Sequence, residues 1–247
     1  MGDTTGISWT DHTFNPWWGC AKIAPGCDNC YAAALDKRTG GDHWNPRTPP
    51  RLTSEQNWNK PLRWNREHRL AQQRGRVFCG SMMDWCDTAA PHGARGRLFD
   101  IIERCDWLDF QLLTKRATLI ERSLPVSWLH NAHMPNVWLG VTVENRAYGY
   151  PRIDALRAIP AAVRFLSVEP MLERMPDIDL TGIDWVICGG ESGPGCRPFD
   201  PAWAVELADL CAAAGVAFWF KQHGGNAADK GGCLLAGREQ KQWPVAA

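Results

Sequence analysis

The chain has 247 residues, with 45% hydrophobic and 22% charged side chains, the make-up of an ordinary globular protein long enough for one large α/β barrel or two small domains. Its 27 basic and 27 acidic residues cancel, so the overall charge does not carry the basic excess of a protein that grips duplex nucleic acid by neutralising phosphates. No stretch approaches the roughly 18 to 20 apolar residues of a membrane span, and Met1-Gly2-Asp3-Thr4-Thr5 lacks the basic and apolar regions of a signal peptide. A cytosolic location and no membrane partner are expected, and the ten cysteines then point to metal or redox chemistry before a disulfide framework.

A first strand is expected around Ile7 to Phe14, and a cysteine-containing loop follows at 19–31. Residues 39–61 are rich in Gly, Pro, Asn and Trp and read as a long excursion of the kind that often forms a functional lid. From about residue 75, short apolar runs recur: Arg76 to Gly80, Asp109 to Leu113, Val137 to Val141, Arg164 to Val168, Asp184 to Cys188 and Val216 to Phe220. Continuous rather than alternating runs suit strands buried on both faces of a parallel sheet. Helical spacing falls between them, at Gly96 to Cys105, Ala117 to Leu124, Arg146 to Ile159 and Pro201 to Ala214. The βα rhythm predicts a single α/β domain over 1–247, a partial or near-complete parallel (β/α)6-7 barrel of TIM-like type. An insertion at 171–183 and an irregular Gly-rich tail from about 224 complete the plan.

Polar residues cluster just after each strand: Ser81 and Asp84, Thr114-Lys115-Arg116, Glu144-Asn145, Glu169, Glu191-Ser192 and Lys221-Gln222-His223. In an α/β barrel the site sits at the C-terminal ends of the strands, so the repetition predicts one shared pocket. The Gly189-Gly190-Glu191-Ser192 turn offers backbone N–H groups and a carboxylate to a polar ligand, or serves as a plain strand-to-helix turn. Fourteen tryptophans are many for this length, and core or groove lining is the simplest use for them, with base stacking as the alternative.

Cys20, Cys27 and Cys30 stand in the spacing C-x6-C-x2-C, with Gly19, Pro25 and Gly26 letting the backbone turn tightly between them. Three thiolates suit a [4Fe–4S] cluster held through three irons, leaving the fourth open. A zinc site would need a fourth ligand, and His12, Cys79, Cys86 and Cys188 are the candidates. The seven other cysteines are scattered, several inside expected strands, and read as core packing.

Three close cysteines followed by an aromatic, after the first strand of a βα barrel, resemble the cluster loop of the radical S-adenosylmethionine (SAM) superfamily. The first gap here is three residues longer than that superfamily's usual C-x3-C-x2-C. The whole chain is similar to a phage-associated, radical-SAM-like family with a three-cysteine loop, distantly similar to spore photoproduct lyase. The resemblance rests on the stretches Trp9 to Pro16, Pro25 to Ala32, Gly80 to Asp84, Leu113 to Arg116, Leu139 to Asn145, Ser167 to Pro170, Gly189 to Pro194 and Phe220 to Gln222. It implies that Cys20, Cys27 and Cys30 ligate three irons and that SAM chelates the fourth. It implies further that Tyr31 lies against the adenine, that Gly80, Ser81 and Asp84 occupy the place of the methionine amino group, and that Glu144 and Glu169 reach ribose or substrate. Lys115, Gly189, Gly190, Glu191 and Ser192 are the remaining cofactor-binding candidates, and Cys196 is a candidate hydrogen-atom donor beside Glu144 and Glu169 as catalytic residues. The implied activity is reductive cleavage of SAM to a 5′-deoxyadenosyl radical that abstracts hydrogen from a nucleic-acid component, in DNA repair or nucleotide modification. A small metabolite as substrate, and a non-catalytic zinc- or cluster-stabilised binding module, are the alternatives. A reducing partner such as flavodoxin or ferredoxin and a monomeric state are expected with it.

Overall fold

The computed structural model describes residues 5–130 and 134–245. Seven strands form one sheet in chain order: β1 (His12–Phe14), β2 (Gly75–Cys79), β3 (Leu108–Thr114), β4 (Val137–Thr142), β5 (Val163–Val168), β6 (Trp185–Gly189) and β7 (Ala217–Gln222). Every pairing is parallel, and β1 and β7 remain the two edges of a curled half-barrel. Strict sequential order sends every crossover to the same side of the sheet, because such connections are right-handed. The main helices are α1 (Tyr31–Arg38), α2 (Lys60–Ala71), α3 (Ala94–Glu103), α4 (Arg146–Arg157) and α5 (Pro201–Ala214). Among the described residues no helix is long and apolar enough to cross a membrane.

The strands from β2 to β6 are buried on both faces, and their two alternating sets of side chains enter two separate cores. Val77, Cys79, Phe110, Leu112, Leu139, Val141, Leu166, Val168, Val186 and Phe220 pack under the helices. Phe78, Trp138, Phe165, Trp185, Ile187 and Trp219 fill the concave side together with Trp9. Trp185 is the hub of that inner group, with ring centroids 6.1 Å from Trp9, 6.0 Å from Trp138, 6.3 Å from Trp219 and 5.1 Å from Trp243. The tryptophans are mainly core, as the simpler reading held; Trp17, Trp58, Trp64 and Trp85 are buried as well.

Packing on the concave side dictates one glycine. A Cβ at Gly140 would lie 2.3 Å from the Phe165 ring on the neighbouring strand. Gly140→Ala is therefore expected to lower stability by about 2 kcal/mol, the usual cost of overpacking, as a lower urea midpoint at unchanged slope.

Local signals place the helix ends. Asn145 caps α4 by accepting from the Tyr148 amide at 3.0 Å, and Asp200 caps α5 by accepting from the Ala202 amide at 2.9 Å, ahead of Pro201. Gly215, at φ 70°, ends α5 in the left-handed conformation. α1 carries no comparable cap and escaped the reading of the sequence.

Two segments hold more structure than their sequence suggests. The excursion at 39–61 is not structureless, and its Trp44 lines the cavity at the strand ends. Arg51 and Leu52 pair antiparallel with Trp18 and Trp17, and the buried Asp36 carboxylate accepts from the His43 amide at 2.8 Å. The excursion backs directly onto the cysteine loop, since a Cβ at Gly19 would meet the His43 carbonyl oxygen at 2.8 Å. The tail after 224 is not merely irregular either. Leu234–Leu235 and Arg238–Glu239 form a small hairpin, and Lys241 then bridges to Trp219 on the β7 edge. The Trp185 indole donates to the Gln242 carbonyl at 3.0 Å.

Candidate functional site

One cavity of about 760 Å³ lies at the C-terminal ends of the strands. Its lining draws on the ends of all the strands from β2 to β7 and on the loop of three cysteines, with Cys20, Cys27 and Cys30 all on its wall. Trp9 and Phe78 form part of its floor, where the inner aromatic core begins. The pocket expected from the recurring polar residues therefore exists.

The three cysteines are set by different devices. Cys27 ends a single 3₁₀ turn, Pro25–Cys27, started by the fixed φ of Pro25. Cys30 is the residue from which α1 springs, so its sulfur stands at the positive end of that helix. Cys20 lies across the six-residue gap and touches Arg116, whose Nη1 donates to its sulfur at 3.6 Å. Burial and the neighbouring Asp84 push the Cys20 thiol up to about 12, against the opposing pull of Arg116.

A [4Fe–4S] cluster would need these three thiols as its donors. The donor chemistry fits: among the described residues neither the Cys27 nor the Cys30 sulfur has a hydrogen-bond partner, and both face the cavity. The sulfurs are not drawn together in advance, since among the described residues no three His, Cys, Asp or Glu side chains are grouped as a metal site. The four residues that could have completed a zinc site lie elsewhere. His12 stacks on Trp64 at 4.3 Å and bonds His68, while Cys79, Cys86 and Cys188 belong to the helix-side core. Of the other seven cysteines, Cys105 and Cys211 are also buried, but Cys196 and Cys233 are part-exposed and are not core residues.

Tyr31, Gly80, Ser81, Asp84, Lys115, Glu169, Gly190, Glu191 and Ser192 line the cavity, and Glu144, Gly189 and Cys196 do not. Glu144 is fully buried and bonded to Arg152 of α4 at 2.5 Å, packed beneath Gly26 of the cysteine loop. It lies behind the loop and outside the cavity lining, away from the place where the resemblance has it reaching ribose or substrate. Cys196 is part-exposed and lies outside the lining, three residues after Gly193, which belongs to it.

Asp84 is spent inside the protein. Its two oxygens accept from the Thr114 hydroxyl at 2.6 Å, the Cys86 amide at 2.9 Å, the Lys115 amide at 3.1 Å and Arg116 at 2.9 Å. A carboxylate has about four acceptor sites, so none remains for a ligand's amino group. The Gly189-Gly190 turn is likewise internal. The Gly190 amide donates to the Gln222 carbonyl at 3.0 Å, and a Cβ there would strike the His223 carbonyl oxygen at 1.9 Å. These glycines permit close backbone packing instead of offering free N–H groups.

Glu191 ties the site together. It accepts from Asn29 at 2.9 Å and from Arg197 at 2.5 Å, joining the cysteine loop to the end of β6. Burial alone would raise its carboxyl, but the hydrogen bonds from Arg197 and Asn29 outweigh it and hold the group below its ordinary value. A depressed folded value means stability present at neutral pH and lost as pH falls through that value. Glu191→Gln is expected to cost about 2 kcal/mol at pH 7, the range of charged hydrogen bonds. The gap to wild type in urea unfolding should close as the pH drops below the ordinary glutamate range.

Glu169 keeps capacity for a ligand: its carboxylate meets Lys221 at 2.8 Å on the cavity wall. The lining also includes Lys22, Lys115 and Lys230, which have no carboxylate partner within 4.0 Å among the described residues. Lys230, Asn226 and Asn29 were not foreseen, because the tail and the cysteine loop give no periodic signal.

No curated protein matches the chain. Among solved structures, spore photoproduct lyase complexed with dinucleoside spore photoproduct is similar at 14% identity with a TM-score of 0.54, over 84% of this chain and 63% of that one. A cysteine-to-serine mutant of spore photoproduct lyase is similar at 14% identity and a TM-score of 0.50, over 83% of this chain and 62% of that one. The likeness is one of fold, and the chain spans less than two thirds of that enzyme's length. The family model described as "Protein of unknown function (DUF5131)" matches residues 4–244, and the chain belongs to that family.

Proposed function

We propose that this protein is an iron–sulfur enzyme of radical SAM type acting on a nucleic-acid component. The observation that carries the reading is that Cys20, Cys27 and Cys30 share the wall of one cavity at the strand C-termini of a half-barrel. Cys20, Cys27 and Cys30 would hold the cluster, and SAM bound to it would supply, on one-electron reduction by a small electron carrier, methionine and a 5′-deoxyadenosyl radical able to abstract hydrogen. The chain's own part is to hold, orient and exclude water. The inner tryptophans close the floor, Tyr31 anchors its hydroxyl to the Ser81 carbonyl at 2.9 Å at the wall, and Glu169 with Lys221 is poised for hydroxyl or amino groups of a bound ligand.

A cavity of about 760 Å³ lies in the upper part of the usual range for ligand sites, roughly 300 to 1,000 Å³, as expected for a cofactor with a second small molecule. Lys22, Lys115 and Lys230 give the cavity lining a positive bias in a chain of zero net charge, which suits a phosphate-bearing nucleotide. The fold similarity to spore photoproduct lyase, seen with a dinucleoside photoproduct, supports the same substrate class. Anaerobic purification with iron and sulfide analysis, followed by incubation with SAM and a strong reductant, tests the proposal. About four irons per chain and release of 5′-deoxyadenosine are expected. One zinc per chain with no nucleoside product would overturn it.

A further inference from the structure

Cys27 and Cys30 are three residues apart and are fixed by their own turn and helix, whereas Cys20 lies across the gap in neither, beside Gly19, whose amide donates to the Met82 carbonyl at 3.1 Å. A further hold on it lies outside the loop. The Arg116 guanidinium, nearly buried, donates to the Cys20 sulfur at 3.6 Å, the Ala21 carbonyl at 2.8 Å, Asp84 at 2.9 Å and Asp87 at 2.9 Å. Asp87 in turn accepts from the Ala21 amide at 2.9 Å. Both backbone groups of Ala21 are thus held by one charged pair, and Asp84, spent for any ligand, serves to aim the guanidinium.

We propose that Arg116 is a positioning residue that fixes Cys20 for cluster binding through the Ala21 clamp and donates a hydrogen bond to the cysteine sulfur. This rests on the cluster reading above. Hydrogen bonds to ligand sulfurs raise a cluster's reduction potential, so Arg116 also makes the bound cluster easier to reduce. Arginine is required because its planar fork serves four acceptors at once, which a lysine ammonium with three donors cannot do.

The test uses Arg116→Gln and Arg116→Lys in the full chain. In iron-free protein, hydrogen exchange at the Ala21 amide is expected to quicken about tenfold or more in Arg116→Gln, the effect of losing charge-assisted hydrogen bonds, with a smaller change in Arg116→Lys. After anaerobic reconstitution, the midpoint potential from EPR-monitored titration should fall in the order wild type, Arg116→Lys, Arg116→Gln. Folded variants that load no iron where wild type does also support the proposal. Should Arg116→Gln fail to fold, Arg116→Lys carries both measurements. Unchanged exchange at Ala21, or an unchanged midpoint in an iron-replete variant, overturns it. A wild-type chain that takes up no iron overturns the cluster reading instead, and exchange at Ala21 then decides the clamp alone.

Discussion

Cys27→Ala is expected to reduce iron from about four per chain to less than about one and to bring 5′-deoxyadenosine formation down more than about 100-fold. Loss of residues that merely orient a metal ligand already costs 10- to 100-fold, and Cys27 would be a ligand itself. The fold should tolerate the change. Cys27 lies on the cavity wall at 8% exposure, outside both hydrophobic cores, so removing its sulfur leaves little void and costs about 1 kcal/mol or less. Cys79→Ala supplies the contrast. That thiol is fully buried among helix-side core residues and burial alone raises it above the ordinary thiol value, so its loss should lower the unfolding midpoint and leave iron unchanged. Iron analysis and a melting curve on both variants separate the roles. Equal iron in Cys27→Ala and wild type would remove the cluster from the account, along with every step that depends on it.

The strand pattern could be read in advance because burial on both faces leaves unbroken apolar runs, and each of the seven expected strands lies on an observed one. The shared pocket followed from the same logic, since polar residues at successive strand ends must meet in sequential parallel topology. Individual roles were harder to read. Asp84, Glu144 and Glu191 all follow strands, yet each is occupied by an arginine: Arg116, Arg152 and Arg197. Nothing in local sequence says which acid has a cationic partner, because Arg116 is 32 positions from Asp84 while Arg152 and Arg197 come from the neighbouring helix and loop. Glu169 kept its place on the wall with Lys221, whose partner strand is two steps along the sheet. The long excursion hides a contact of another kind. Its Gly, Pro and Asn content reads as a functional lid, and what that content does not show is that Arg51 and Leu52 pair with Trp18 and Trp17 while Trp44 reaches the cavity wall.

Trp185→Ala is expected to be the most destabilising single change among the inner aromatic residues, at about 3 to 5 kcal/mol. The side chain is fully buried and edges against Trp9, Trp138 and Trp219, tilts against Phe165 and Trp243, and spends its indole N–H on the Gln242 carbonyl. Removing it empties the centre of this aromatic group, and Trp138, Phe165 and Trp219 cannot collapse into the space because they belong to strands β4, β5 and β7, fixed by the sheet. It also removes one hold on the tail, which keeps the bonds of its Gln242 amide and side chain to Phe218 on the β7 edge. For a chain of this size each kcal/mol corresponds to roughly 2 to 4 °C, so the melting midpoint should fall by about 6 to 20 °C. The consequence for the cavity is the informative part. Trp9 sits in both this group and the cavity floor, so loss of its neighbour should let water enter from below. If the tryptophans serve as a watertight floor, a reconstituted Trp185→Ala protein held below its lowered midpoint keeps its iron in the absence of oxygen but loses it faster than wild type in air. Equal loss rates in air would limit the group to a stabilising role.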